Sequence, residues 1–163
     1  MADIKSDLVS NYESTPRLHS AGHLSGARAR RIVASVEKAS GDGNGSKVFL
    51  CPVWSGWSIH SIRLFNDALT GATAVEVGIY DTDGTTAVNA DVYASAISLA
   101  TASSVGVEHA FEARDVANVA NRIWEDLGLS ADPNRWYYLA LTGTTFGSAA
   151  GTISAIVEYV DGS

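Results

Sequence analysis

From residue 28 onward the chain is patterned with a period of two. In Arg30-Arg31-Ile32-Val33-Ala34-Ser35-Val36-Glu37, one face collects Ile32, Ala34 and Val36, and the other Arg31, Ser35 and Glu37. That alternation predicts a half-buried strand. Gly41-Asp42-Gly43-Asn44-Gly45 follows as a turn, because Gly and Asn tolerate the positive φ of tight reversals. Lys47 to Val53 predicts a second strand whose end Pro52 weakens, and Ile59 to Phe65 a third. The cleanest strand is Thr73 to Tyr80, with Val75, Val77 and Ile79 on one face and Ala74, Glu76, Gly78 and Tyr80 on the other. Asp81-Thr82-Asp83-Gly84-Thr85 closes it with turn residues. Residues 91–100 fit either a short helix or an edge strand, and Val105 to Phe111 reads as another strand.

One stretch switches period. Val116, Val119, Ala120, Ile123, Trp124 and Leu127 share one helical face, Asp115 stands ready to cap it, and Gly128 is the expected stop. On this reading Trp124 is core. Trp136–Thr142 and Thr152–Val160 supply the last strands. Seven or eight short strands with regular turns and one short amphipathic helix predict a mainly β fold, an antiparallel β-sandwich of jelly-roll type. No internal repeat is visible.

Residues 1–27 lack such a pattern. Leu8, Val9, Tyr12, Leu18 and Leu24 are scattered among Ser, Asn, His and Gly. A segment of this kind cannot bury enough apolar surface to offset its own ordering entropy. The expectation is an extended N-terminal arm, 1–27, ordered only by something it lies against, ahead of a sandwich domain, 28–163. A frayed terminus is the plain alternative.

Composition agrees with one core. The chain has 163 residues, 46% hydrophobic, with a single Cys and a net charge of −7, and single cores commonly span about 100–200 residues. No apolar run reaches the roughly 18 residues of a membrane span. The first residues lack a basic-then-apolar secretory signal. The charge is uneven: residues 1–47 carry seven basic and five acidic side chains, the remainder four and thirteen. A slightly basic arm on an acidic body suits two different partners.

Candidate chemistry is sparse. His19 and His23 have helical spacing but stand in a Ser/Gly-rich stretch, and His60 and His109 are isolated. Asp81-Thr82-Asp83-Gly84 resembles the start of a calcium loop but lacks the later ligands and terminal Glu, so it reads as a turn. The Gly41–Gly45 segment lacks the Lys-Ser/Thr of a phosphate loop. Cys51 lies in an apolar strand, and Glu125 and Asp126 read as solvated charges. No metal, cofactor or catalytic residue is expected, and the chain reads as a non-enzyme. Trp54 and Trp57 flank a Ser-Gly turn, where they form either an exposed platform for a sugar or a protein, or a loop packed on itself. Trp136 fits either core or sandwich edge. Arg28-Ala29-Arg30-Arg31 is the densest basic cluster; with a pI near 4.9 it suits an acidic protein surface better than nucleic acid.

Four segments add a resemblance. Asn66-Asp67-Ala68-Leu69-Thr70-Gly71-Ala72, Val75-Glu76-Val77-Gly78-Ile79-Tyr80-Asp81 and Asn89-Ala90-Asp91-Val92-Tyr93, followed by Arg122 to Pro133, are similar in kind and order to segments of tailed-bacteriophage head decoration, or capsid cement, proteins. The likeness spans roughly residues 28–160. It implies a β-sandwich on the outer surface of the virion capsid, made in the host bacterial cytoplasm and bridging subunits of the major capsid protein. It also implies a homo-oligomer, dimer or trimer, with no nucleic-acid or membrane partner. The arm would then bind the capsid through Leu8, Tyr12, Leu18 and Leu24, with Arg17, Arg28, Arg30 and Arg31 meeting acidic groups. The other reading is a carbohydrate- or receptor-binding module on a virion that uses Trp54 and Trp57.

Overall fold

The computed structural model describes residues 6–16, 18 and 27–161. Eight strands carry the fold: β1 (Ala29–Lys38), β2 (Lys47–Trp54), β3 (Trp57–Asn66), β4 (Ala74–Tyr80), β5 (Ala87–Ile97), β6 (Ser103–Glu108), β7 (Trp136–Thr145) and β8 (Gly151–Asp161). They form two four-stranded sheets, ordered β1-β8-β3-β6 and β2-β7-β4-β5. First pairs with last, second with seventh, third with sixth and fourth with fifth, all antiparallel. The chain is thus one long hairpin whose successive rungs fall alternately in the two sheets, which is the jelly-roll topology the alternation predicts. Among the described residues no helix is long and apolar enough to cross a membrane.

The inner faces supply the core. Ile59, Ile62, Leu64, Ile153, Ala155 and Val157 from one sheet meet Val53, Val75, Val77, Ile79, Leu139 and Leu141 from the other, each at most 1% exposed. Of residues 91–100, those up to Ile97 are strand, and β5 explains why β4 is buried on both faces. Four residues, Ala90 to Tyr93, lie opposite Gly78, since the register jumps from Val77↔Ala94 to Ile79↔Asn89. The bulge passes directly over Gly78, where a Cβ would lie 2.2 Å from the Ala90 carbonyl carbon. Tyr93 at its end turns into the core, fully buried.

The predicted helix over 115–127 does not form as one piece. A 3-10 turn, Val116–Asn118, is followed by a single α-turn, Ile123–Asp126, and only Ile123 of the predicted apolar face is fully buried. Val116 and Val119 point to solvent and Trp124 is half-buried rather than core. The backbone carbonyls that would continue the helix are taken by side chains from elsewhere. Arg114 Nη2 donates to Asn118 O at 2.8 Å and Ser58 Oγ to Asn121 O at 2.7 Å. The Arg122 N–H turns instead to Glu125 Oε2. Both expected ends hold: Asp115 accepts from the Ala117 N–H, and Gly128 has φ +70°.

Arg114 also explains Asp126, which is not the solvated charge the sequence suggests. The two side chains are 3.1 Å apart and each 2% exposed. Arg114 donates to Ile59 O at 2.9 Å and lies over the rings of Phe111 and Tyr93, so it clasps the 109–128 crossover to β3 and β5. Burial pushes the Asp126 carboxyl up to about 6, against the pull of Arg114 and of its hydrogen bonds. Because the folded state keeps this proton after an unfolded Asp has lost it, this group's contribution to stability falls as pH rises from about 4 to about 6.

Two substitutions test these points. Gly78→Ala forces the β5 bulge away from β4 and is expected to cost about 1–3 kcal/mol in urea unfolding. Arg114→Met strips Asp126 of its cation and removes the side-chain donor to the buried Ile59 carbonyl, an expected loss of about 3–5 kcal/mol at pH 7. Without Arg114 the carboxyl rises further, so the gap to wild type should widen between pH 5 and 7. A pH-independent gap would show that the pair does not act electrostatically.

Candidate functional site

The arm is not uniformly extended. Residues Asp7–Glu13 form a helix, α1, started by Ser6, whose Oγ accepts from the Val9 N–H. Ser10 and Ser14 donate their hydroxyls back to the carbonyls of Ser6 and Asn11, and the Leu18 N–H returns to Asn11 O and Ser14 Oγ. These short polar side chains give the segment the local hydrogen bonds that its sparse apolar residues do not. What α1 and the turn after it lack is cover: Val9, Tyr12 and Leu18 are 42%, 63% and 57% exposed. Tyr12 and Leu18 are two of the anchors the sequence suggests. Arg17 and Leu24, with His19 and His23, lie outside the described residues, as does the side chain of Leu8.

Arg28, the first residue of the expected sandwich domain, is exposed and leads into β1. Strand alternation sends Arg30 and Arg31 to opposite sides. Arg30 reaches Asp161 at the end of β8, 3.7 Å away, while Arg31 stands on the outer face opposite Glu158. The basic cluster is therefore split by the pleat rather than presented as one patch.

The same end of the sandwich holds the tryptophans, because Trp57 pairs with Asp161 just as Ala29 pairs with Val160. The Trp54-Ser55-Gly56-Trp57 corner, where the chain crosses from one sheet to the other, is packed on itself. Ser55 is fully buried; its Oγ donates to Asp132 Oδ1 at 2.5 Å and accepts from the Arg135 N–H at 3.1 Å. Its carbonyl accepts from the Trp124 N–H. A Cβ on Gly56 would meet Asp132 Oδ2 at 3.0 Å. Trp57 stacks on Tyr159 with ring centroids 4.0 Å apart, and both Trp54 and Trp57 are half-buried.

The exposed member is Trp136, 46% exposed, its ring set edge-on to Trp54 at 5.2 Å and Trp57 at 5.4 Å. The signal was present in the sequence: Trp136 precedes Tyr137, and a strand that buries Tyr137 must turn Trp136 outward. Arg135 beside it pairs with Asp81 and lies over the Tyr137 ring. The result is a fixed aromatic ledge next to the root of the arm.

The other candidates are spent on structure. Asp83 accepts from the Thr85 and Thr86 N–H groups and the Thr86 hydroxyl, which hold its carboxyl well below the usual range; this is turn chemistry. Burial pushes the Cys51 thiol up to about 12, so it is not a nucleophile at neutral pH. His60 is exposed on β3, and His109 lies just past β6 with its N–H bonded to Ile62 O. Among the described residues no three His, Cys, Asp or Glu side chains are grouped to hold a metal ion.

No protein-family model and no curated sequence matches the chain. Solved structures do. One chain in the capsid of Ralstonia phage GP4 superposes with a TM-score of 0.61 and 15% identity, over 97% of this chain and 97% of that one. One chain in the capsid asymmetric unit of cyanophage Pam1 gives a TM-score of 0.54 and 19% identity, over 88% of this chain and 92% of that one. At these identities the likeness is one of fold: this jelly roll, at nearly its whole length, is shared with chains of two bacteriophage capsid structures.

Proposed function

We propose that the chain is a non-enzymatic structural protein of a tailed-bacteriophage virion, a head decoration or cement protein. It would bind the outer surface of the capsid and bridge subunits of the major capsid protein. The observation that carries this reading is the near-complete coverage, 97% of each chain, of a chain in the capsid of phage GP4. The residues support it. A domain with its own closed core, residues 28–163, is preceded by an arm, residues 1–27, that leaves Val9, Tyr12 and Leu18 in water. Apolar side chains held on a short helix and on the turn that folds back to it are an anchor for a groove. Arg28 then meets acidic capsid groups at the edge of the contact. A protein that binds the assembled lattice and not its free subunits stabilises the shell by mass action, and an oligomer of modest contacts gains avidity.

Trp136 favours a second reading, a carbohydrate- or receptor-binding module, in which its exposed ring stacks on a sugar beside Trp54 and Trp57. Glycan binding that is lost in Trp136→Ala would support that reading over capsid attachment.

Mixing the purified chain with shells of the capsid protein and pelleting them tests the proposal. Removing residues 1–27 is expected to abolish co-sedimentation and leave the circular dichroism of the body unchanged. Replacing Val9, Tyr12 and Leu18 together by Ser should weaken binding at least about ten-fold, since apolar anchors dominate such contacts. Full binding by the truncated chain would rule out the arm as the anchor.

A further inference from the structure

A jelly roll has four edge strands, here β1 and β6 in one sheet and β2 and β5 in the other. Edge strands offer unpaired backbone groups to any other chain, and proteins blunt them with bulges, prolines or short length. Three of the four are blunted in this way. β2 carries a bulge between Phe49 and Cys51 and then Pro52. β5 breaks register at three places. β6 has six residues, a break in register and Gly106 at φ +72°. β1 has none of these devices. Its ten residues match β8 one for one from Ala29↔Val160 to Lys38↔Gly151.

The charges on β1 are arranged to complement themselves. Its outer face reads Arg31, Val33, Ser35, Glu37, positive at one end and negative at the other. Arg31 stands opposite Glu158 of β8 but makes no ion pair within 4.0 Å among the described residues, and Val33 is 66% exposed. Glu37 accepts from the Thr152 hydroxyl through one oxygen and has the other available. On the inner face Ile32, Ala34 and Val36 are only partly buried against the core.

We infer that β1 pairs antiparallel with β1 of a second copy about a twofold axis at Ala34, joining two sheets into one of eight strands. In this register Arg31 faces Glu37 of the partner subunit, and by symmetry Glu37 faces the partner's Arg31. Ile32 then meets the partner's Val36 on the inner side, covering apolar surface that one copy leaves partly open. Moving the axis to Val33 sets Arg31 against the partner's Ser35, and moving it to Ser35 sets Arg31 against the partner's Ala39; both lose the ion pairs. A slip of one residue turns the inner face outward. Arg30 falls opposite the partner's Lys38, and neither charge is loose. Arg30 is held by Asp161, and Lys38 is buried among the carbonyls of Ala39, Gly147 and Ala149. The contact is isologous and closes at two copies. It stands independently of the capsid reading.

Sedimentation of the full chain tests it. Wild type should form a dimer. Arg31→Glu and Glu37→Arg should each raise its dissociation constant about ten-fold, because each reversal turns two cross-strand attractions into repulsions. The double exchange should restore dimerisation. Ala34→Cys places two thiols at the axis, where Cα atoms of opposed residues lie about 4.5–5.5 Å apart, within disulfide reach. Mild oxidation should therefore link the dimer, with buried Cys51 not competing. A monomer at every concentration, a trimer, a dimer indifferent to both single reversals, or one that Ala34→Cys fails to link would overturn the proposal.

Discussion

The β1-β8-β3 ladder is the interaction on which the rest of the structure depends. β8 is hydrogen-bonded on both sides, to the first strand for ten consecutive residues and to the third from Trp57↔Asp161 to Asn66↔Ile153. It joins the two ends of the described body and places Ile153, Ala155, Val157 and Tyr159 in the core. Nothing local holds β1, since its neighbour in sequence, β2, belongs to the other sheet. The fold is thus bought by long-range closure, the most costly kind of contact to form early in folding. The same closure fixes where function can reside. It brings the root of the arm, the end of β8 and the Trp54–Trp57 corner to one end of the sandwich.

Features that depend on one face of one element were legible in the sequence. The Val75, Val77, Ile79 alternation marks β4, and the Gly128 stop is where a left-handed residue was expected. Features decided by distant partners were not. The helix over 115–127 has the right period, but Arg114 and Ser58 take the carbonyls it would need. That β4 is buried on both faces is not announced by its own alternation, because four residues of β5 bulge across Gly78. Glu125-Asp126 reads as solvated because the cation that buries Asp126 stands twelve residues away. In residues 1–27, the composition argument weighed apolar surface alone and overlooked the cap that Ser6 provides.

The candidate site shows the same division. Tyr12 and Leu18 were named for being apolar where no core is available, and they are exposed. Trp54 and Trp57 were named for their place beside a turn, and the turn proves to be a packed corner with Ser55 at its centre. The exposed ring belongs to Trp136, whose orientation follows from strand parity rather than from any motif. The opposite charges of β1 likewise become meaningful only once topology makes it an edge.

On the proposed reading, folding satisfies the body and leaves the arm for the capsid. Hydrogen exchange of the full-length chain, with and without capsid shells, tests that division most directly. The account predicts that amides of residues 6–18 exchange in seconds in the free protein while those of β8 persist for hours, and that shells slow the arm selectively. Arm amides as protected as β8 in the free protein, or unchanged on shells that retain the chain, would contradict it.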